Sequence, residues 1–272
     1  MARGMDAAWG GLGLAGLALG WTTIHLASGP FVLPSLADTG AAFVRLFAVG
    51  AAPEALGVTL IHALGGALLG GLAGAMLGVA GGLIRPLGAT LRPVALAILG
   101  VPPVAWVVLA LLWFGPGLVS PLFTVAVTTA PILFAAALGA VATRDSLLTE
   151  MATVFRLSRR TRLTRLLLPE MAAAMAPALS TGFALAWKVA LTAELLGDGS
   201  GIGGRFATAR AHLDLAEAMA WVVLVVIFVL LSDAVMLAPL RRWIGAGRRG
   251  RAMAPAVTRC VGVGVLTETR RC

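Results

Sequence analysis

Long apolar runs alternate with short polar connectors along this chain, and the runs are of membrane-crossing length. Six stretches hold about 20 predominantly apolar residues each: Ala7–Ala27, Leu56–Leu83, Val94–Phe114, Pro121–Ala142, Ala173–Leu196 and Met219–Leu240. They predict an all-α integral membrane protein with about six transmembrane helices. The second stretch carries Gly66, Gly70, Gly74, Gly78 and Gly82 at every fourth position, which makes one bare ridge for close helix packing. The third contains Pro102 and Pro103, which remove two backbone donors and predict a kink or an unwound turn. Carbonyls freed in hydrocarbon are tolerated against protein or a watery cavity, so Pro102, Pro103 and the nearby Trp106 are candidate pathway residues, with a packing kink as the alternative. Between the first two spans, Ala41–Val49 reads as a short interfacial helix.

The connector from Asp145 to Pro169 has a different pattern. Leu147, Leu148, Met151, Val154 and Phe155 fall at helical spacing on one face. Asp145 or Ser146 caps the start, and Glu150 suits the positive end of the helix dipole. Ser158 offers a second cap, followed by Arg159, Arg160, Arg162 and Arg165 among leucines, and Pro169 closes the unit. The pattern predicts a short amphipathic helix, a break and a basic helix. On this pattern alone, a basic loop held by anionic lipid is an equal reading.

Composition agrees with a bilayer as solvent. The chain is 59% hydrophobic and 12% charged, with mean hydropathy +0.96, which excludes an ordinary soluble domain. With the N-terminus placed in the cytoplasm, 17 Lys and Arg fall on the inner side and 3 on the outer, a strong positive-inside bias. Both termini are therefore expected in the cytoplasm. The net charge of +9 reflects this orientation, and no aromatic–basic stripe supports a nucleic-acid partner. The expected division is a first transmembrane helix and outer segment (1–55), a core of five transmembrane helices (56–243) and a basic cytoplasmic tail (244–272). Arg3 and Ala27-Ser28-Gly29 flank the first span as in a signal peptide, but its length exceeds the usual apolar region of one.

Few residues offer chemistry. Lys188, the only lysine, stands within the fifth span, where an ionisable group costs about 2.5–3.5 kcal/mol unless paired or hydrated. It is a pathway charge, a snorkelling side chain or the partner of Glu194. The run Gly197–Gly204 lacks the lysine of a phosphate loop and reads as a flexible outer connector. His25, His62 and His212 stand singly and read as structural. Cys260 and Cys272 form neither a disulfide framework nor a metal site. No phosphate-binding loop, nucleophile elbow or zinc helix motif occurs. A transporter subunit, a channel and an intramembrane enzyme remain open on these grounds.

The Asp145–Pro169 segment resembles the EAA motif of binding-protein-dependent ABC importer permeases, which reads E-A-A-x3-G-x9-I-x-L-P. Glu150, Ala152, Leu168 and Pro169 match at the proper spacing, with Leu166 at the isoleucine position. Met151 replaces an alanine and Arg156 replaces the turn glycine. Pro102-Pro103-Val-Ala105-Trp106, Leu112-Trp113-Phe114-Gly115, Trp187, Ala193-Glu194 and Gly201-Ile-Gly203 are similar to segments of the nitrate/taurine/sulfonate branch. The resemblance implies a homodimer of permease subunits in the bacterial inner membrane, two cytoplasmic ATPase subunits that carry ATP and Mg, and an extracytoplasmic solute-binding protein. It implies no cofactor, metal or catalytic residue on this chain, and a small anion such as nitrate, a sulfonate or taurine as solute. Leu148, Glu150, Met151, Ala152, Phe155, Arg156, Leu168 and Pro169 would form the cytoplasmic coupling helix. Trp187, Lys188 and Glu194 join Pro102, Pro103 and Trp106 as pathway candidates. The rival is a secondary transporter or channel that needs no ATPase. At Arg156 the helix is expected to continue, with the break displaced to Leu157 or Ser158, because arginine is a good helix former.

Overall fold

A computed structural model describes residues 2–142, 154–156, 158–162, 168–197 and 200–232 of the protein. The helices in these residues are α1 (Ala2–Ser28), α2 (Leu36–Ala48), α3 (Ala51–Leu83), α4 (Arg85–Gly100), α5 (Pro103–Phe114), α6 (Val119–Ala142), α7 (Arg159–Arg162), α8 (Leu168–Leu196), α9 (Gly201–Ala211) and α10 (Leu215–Ser232). The short helix expected after the first span is α2. Ser35 starts it by accepting a bond from the Asp38 N–H at 3.0 Å, which satisfies a donor free at every helix start.

The glycine ridge is the main seam of the bundle. Gly66, Gly70, Gly74 and Gly78 are buried in α3, and each faces α6. A methyl group on Gly66 would meet Val125, on Gly70 Ala126 and Thr129, on Gly74 the Ala130 carbonyl, on Gly78 Phe134 and Ala137, and on Gly82 Val141. Backbone therefore lies against backbone, as small residues permit. The partners rise in number together along both helices, so α3 and α6 run parallel. The chain returns between them through α4 and α5, which meet at 95° at the Val101–Pro102 break. Pro102 cannot donate into the ladder, and its ring disfavours helical backbone at the residue before it, so the paired prolines bend this span into two helices.

Helix α8 runs the other way. Its midpoint at Gly182 lies against Leu133 of α6, while its end at Glu194 reaches Thr59 and His62 near the start of α3. Helix α10 returns, with Phe228 stacked edge-on to Trp187 at 4.7 Å. These directions put α2 and α9 at one end of the bundle and the connection from α6 to α8 at the other, with Leu83 and Arg85. Four helical segments are long and apolar enough to cross a membrane: α3, α6, α8 taken with α9, and α10. The bent α4–α5 pair makes a fifth if it counts as one span. The expected all-α membrane architecture is observed, with these four or five crossing segments among the described residues.

Candidate functional site

The end of α8 carries a fully buried carboxylate. Glu194 has no accessible surface, and His62, on α3, exposes only 1%. Glu194 Oε1 lies 2.8 Å from His62 Nδ1. Its Oε2 accepts from the Thr59 hydroxyl at 2.9 Å and from the Gly203 N–H at 3.0 Å. Thr59 Oγ1 in turn accepts from the Ile202 N–H at 2.9 Å. Every group aimed at the carboxylate is a donor once the imidazole carries its hydrogen on Nδ1, which is how a buried carboxylate is stabilised. The glycines beside it make the room. Gly201 stands at φ +67, and a methyl group there would run into the Glu194 carboxylate. The run expected to be a flexible connector therefore opens α9 instead, with Gly201, Ile202, Gly203 and Gly204 all buried.

The other pathway candidates occupy different surroundings. Trp187 is buried on α8 between Phe183 and Phe228. Lys188 is the next residue, but it is exposed and borders an apolar groove of 360 Å³ between α8 and α10. Glu194 takes its bonds from His62, Thr59 and Gly203 rather than from Lys188. Pro102 and Pro103 form the corner between α4 and α5, and Trp106 lies one turn into α5. The indole nitrogens of Trp106 and Trp187 are buried without a hydrogen-bond partner among the described residues. Sequence reading left His62 and Thr59 out of the site. The available signal was an ionisable histidine inside an apolar span, which calls for a partner.

Of the coupling candidates, Leu148, Glu150, Met151 and Ala152 lie outside the described residues. Leu168 and Pro169 open α8. Phe155 and Val154 are 68% and 78% exposed. Arg156 stands at φ 47, in the left-handed region, so the expectation that it would continue a helix is wrong. The chain turns at the family's glycine position even though arginine occupies it. Ser158 does cap the next helix: its hydroxyl accepts from the Thr161 N–H at 3.2 Å and lies 2.8 Å from the Thr161 hydroxyl. The four residues of α7 follow.

A glycine seam between parallel spans, a broken return span and two further crossing segments define a multi-pass helical membrane protein with the ABC permease fold. Among solved structures, it is similar to the MetNI methionine ABC transporter in inward facing conformations, with a TM-score of 0.51 and 18% identity, covering 71% of this chain and 92% of that one. Comparison with curated proteins gives no match. Residues 66–242 match the family of binding-protein-dependent transport system inner membrane components, and the chain belongs to it. It is thus a permease component of the inner membrane.

Proposed function

We propose that this chain is the permease subunit of an ATP-driven importer. It moves a small anion, nitrate or a sulfonate such as taurine, into the cytoplasm by alternating access. Two copies pair and bind two ATPase subunits through the segment from Asp145 to Pro169, and a solute-binding protein delivers the solute from the opposite side. ATP and Mg are bound by the ATPases, and this chain supplies no catalytic group. The 17-to-3 distribution of basic residues favours a cytoplasmic coupling segment and cytoplasmic termini. The division into residues 1–55, 56–243 and 244–272 belongs to the same proposal.

The observation that carries this reading is the turn at Phe155–Arg156. Two apolar side chains, Val154 and Phe155, are exposed beside a left-handed Arg156, in the connection between two membrane helices. Apolar side chains presented by a short turn suit a groove on a cytoplasmic partner, with Glu150 and the arginines fixing register. ATP-driven closure of the ATPase pair would then move the α6–α8 connection and the helices joined to it. Along the path, the unpaired indole N–H groups of Trp106 and Trp187 and the ammonium of Lys188 suit an anionic solute. Pro102 and Pro103 would act as the bend, and Glu194 would hold the helices at the end of the path through its buried hydrogen bonds.

Co-expression with a candidate ATPase subunit tests the reading. The two proteins should purify together, and vesicles holding both should take up solute only with ATP and the binding protein. Solute uptake by the permease alone, driven by an ion gradient, would instead establish a secondary transporter.

A further inference from the structure

Helix α9 rests on a small apolar face, Ile202 and Ala209 with Phe206 packed beside them. Of its five buried residues, Gly201, Gly203 and Gly204 have no side chain to bury, which leaves Ile202 and Ala209. It also donates hydrogen bonds to other helices. The N–H groups of Ile202 and Gly203 belong to the first turn, where no carbonyl of the same helix can accept them. Thr59 on α3 takes the first and Glu194 on α8 takes the second, and His62 holds the carboxylate from its far side. Among the described residues, His62 and Glu194 are the only fully buried ionisable side chains.

An open apolar groove of 210 Å³ runs alongside α9. Leu191 and Leu195 of α8, Ile202 and Phe206 of α9, and Trp221 and Val225 of α10 wall it. Helix α9 also packs on α3, α8 and α10, so it bridges three spans at one end of the bundle. Lifting it would uncover the junction of those spans.

We propose that Glu194, held by His62 and Thr59, is a latch that seats α9 as a lid over this end of the bundle. In the permease reading above, on which this rests, the lid closes the outer end of the path. Glu194 is then a positioning residue that acts through the first turn of α9, and solute does not touch it.

Cysteine accessibility tests the latch. In a Cys260→Ser, Cys272→Ser background, Ala209→Cys places a reporter on the buried face of the lid and Ala137→Cys places one deep in α6, both at sites now buried. Membranes holding the full chain are treated with a membrane-impermeant maleimide. Glu194→Ala and His62→Ala should each speed labelling of Ala209→Cys by about tenfold or more, since each strips a buried group of its partner. Labelling of Ala137→Cys should stay unchanged. Glu194→Gln keeps a carbonyl acceptor for Thr59 and Gly203 and should remain within about threefold of the parent. Protection of Ala209→Cys in both alanine variants would overturn the latch. So would equal labelling of Ala137→Cys, which marks general loosening, or a Gln variant as exposed as Ala. In the complex with its ATPase, addition of ATP should change the Ala209→Cys rate, and a rate identical with and without ATP overturns the gating role. Copurification of the ATPase is scored separately, so a failed latch and a failed permease assignment give different results.

Discussion

Glu194 Oε1 and His62 Nδ1 are 2.8 Å apart although 132 residues separate them in the chain, and neither side chain is open to solvent. The pair joins α8 to α3 where no covalent connection does. Removing one member of a buried hydrogen-bonded pair leaves the other without its partner, at a cost of about 1–3 kcal/mol, whereas removing both together costs less than twice that.

His62→Leu and Glu194→Leu are therefore each expected to destabilise the protein by about 1–3 kcal/mol. The double variant should be less destabilised than the sum of the two singles. Unfolding of the four proteins in detergent, followed by helical circular dichroism, checks this. Strict additivity would show that the contact carries no coupling energy.

Adjacent glycines on α3 should respond in opposite directions to the same substitution. A methyl group on Gly74 collides with the Ala130 backbone of α6, while one on Gly71 meets only the Leu133 side chain at 3.9 Å, an ordinary contact. Gly74→Ala is expected to lose about 1–3 kcal/mol through overpacking. Gly71→Ala should be neutral or gain about 0.5–1 kcal/mol from the helix preference of alanine. Thermal unfolding of both variants measures the contrast, and equal shifts would contradict the parallel seam.

Lys188 borders an apolar groove between α8 and α10 and does not pair with Glu194. A pathway role predicts that Lys188→Met lowers anion uptake in vesicles by about tenfold or more, the size expected for one lost charge-assisted hydrogen bond. Assembly with the ATPase should persist. Normal uptake would remove Lys188 from the path and leave it a lipid-facing lysine.

The helical architecture was legible because bilayer thickness imposes long apolar runs and close packing imposes small residues every fourth position. Gly66 through Gly82 showed that a ridge existed. They did not show that its partner would be α6, running parallel, because local periodicity carries no information on pairing. The same limit hid the bond between His62 and Glu194. Gly197–Gly204 was misread for another reason. Glycine signals backbone freedom, but in Gly201 and Gly203 the absent Cβ admits a buried carboxylate, and residues 201–204 are packed. The four-residue spacing was local and readable; the carboxylate that needs the space came from α8.

Arg156 shows local preference overruled. Helix propensity favours arginine, yet the residue stands at φ 47, where an L side chain costs roughly 1–2 kcal/mol. The requirement that wins is the chain reversal between exposed Phe155 and the Ser158-capped α7, which must occur whichever residue stands at the turn. Glycine adopts this backbone without that steric cost. Arg156→Gly should therefore relieve strain, but it also gives the unfolded chain more freedom, and the two effects oppose each other. Relief is expected to win by up to about 1 kcal/mol, since the steric cost of a positive φ exceeds the entropy that glycine adds to the unfolded chain. Arg156→Val, with a branched Cβ at positive φ, should be destabilised instead. Limited proteolysis of the connection between α6 and α8 measures both directions: slower cleavage for Gly and faster for Val. If Gly is cut faster than Arg, the left-handed turn is not what holds the segment. ATPase coupling gives an independent reading, because Arg156→Gly keeps the turn and should preserve transport, while Phe155→Asp removes an exposed apolar side chain beside it and should uncouple ATP hydrolysis from uptake.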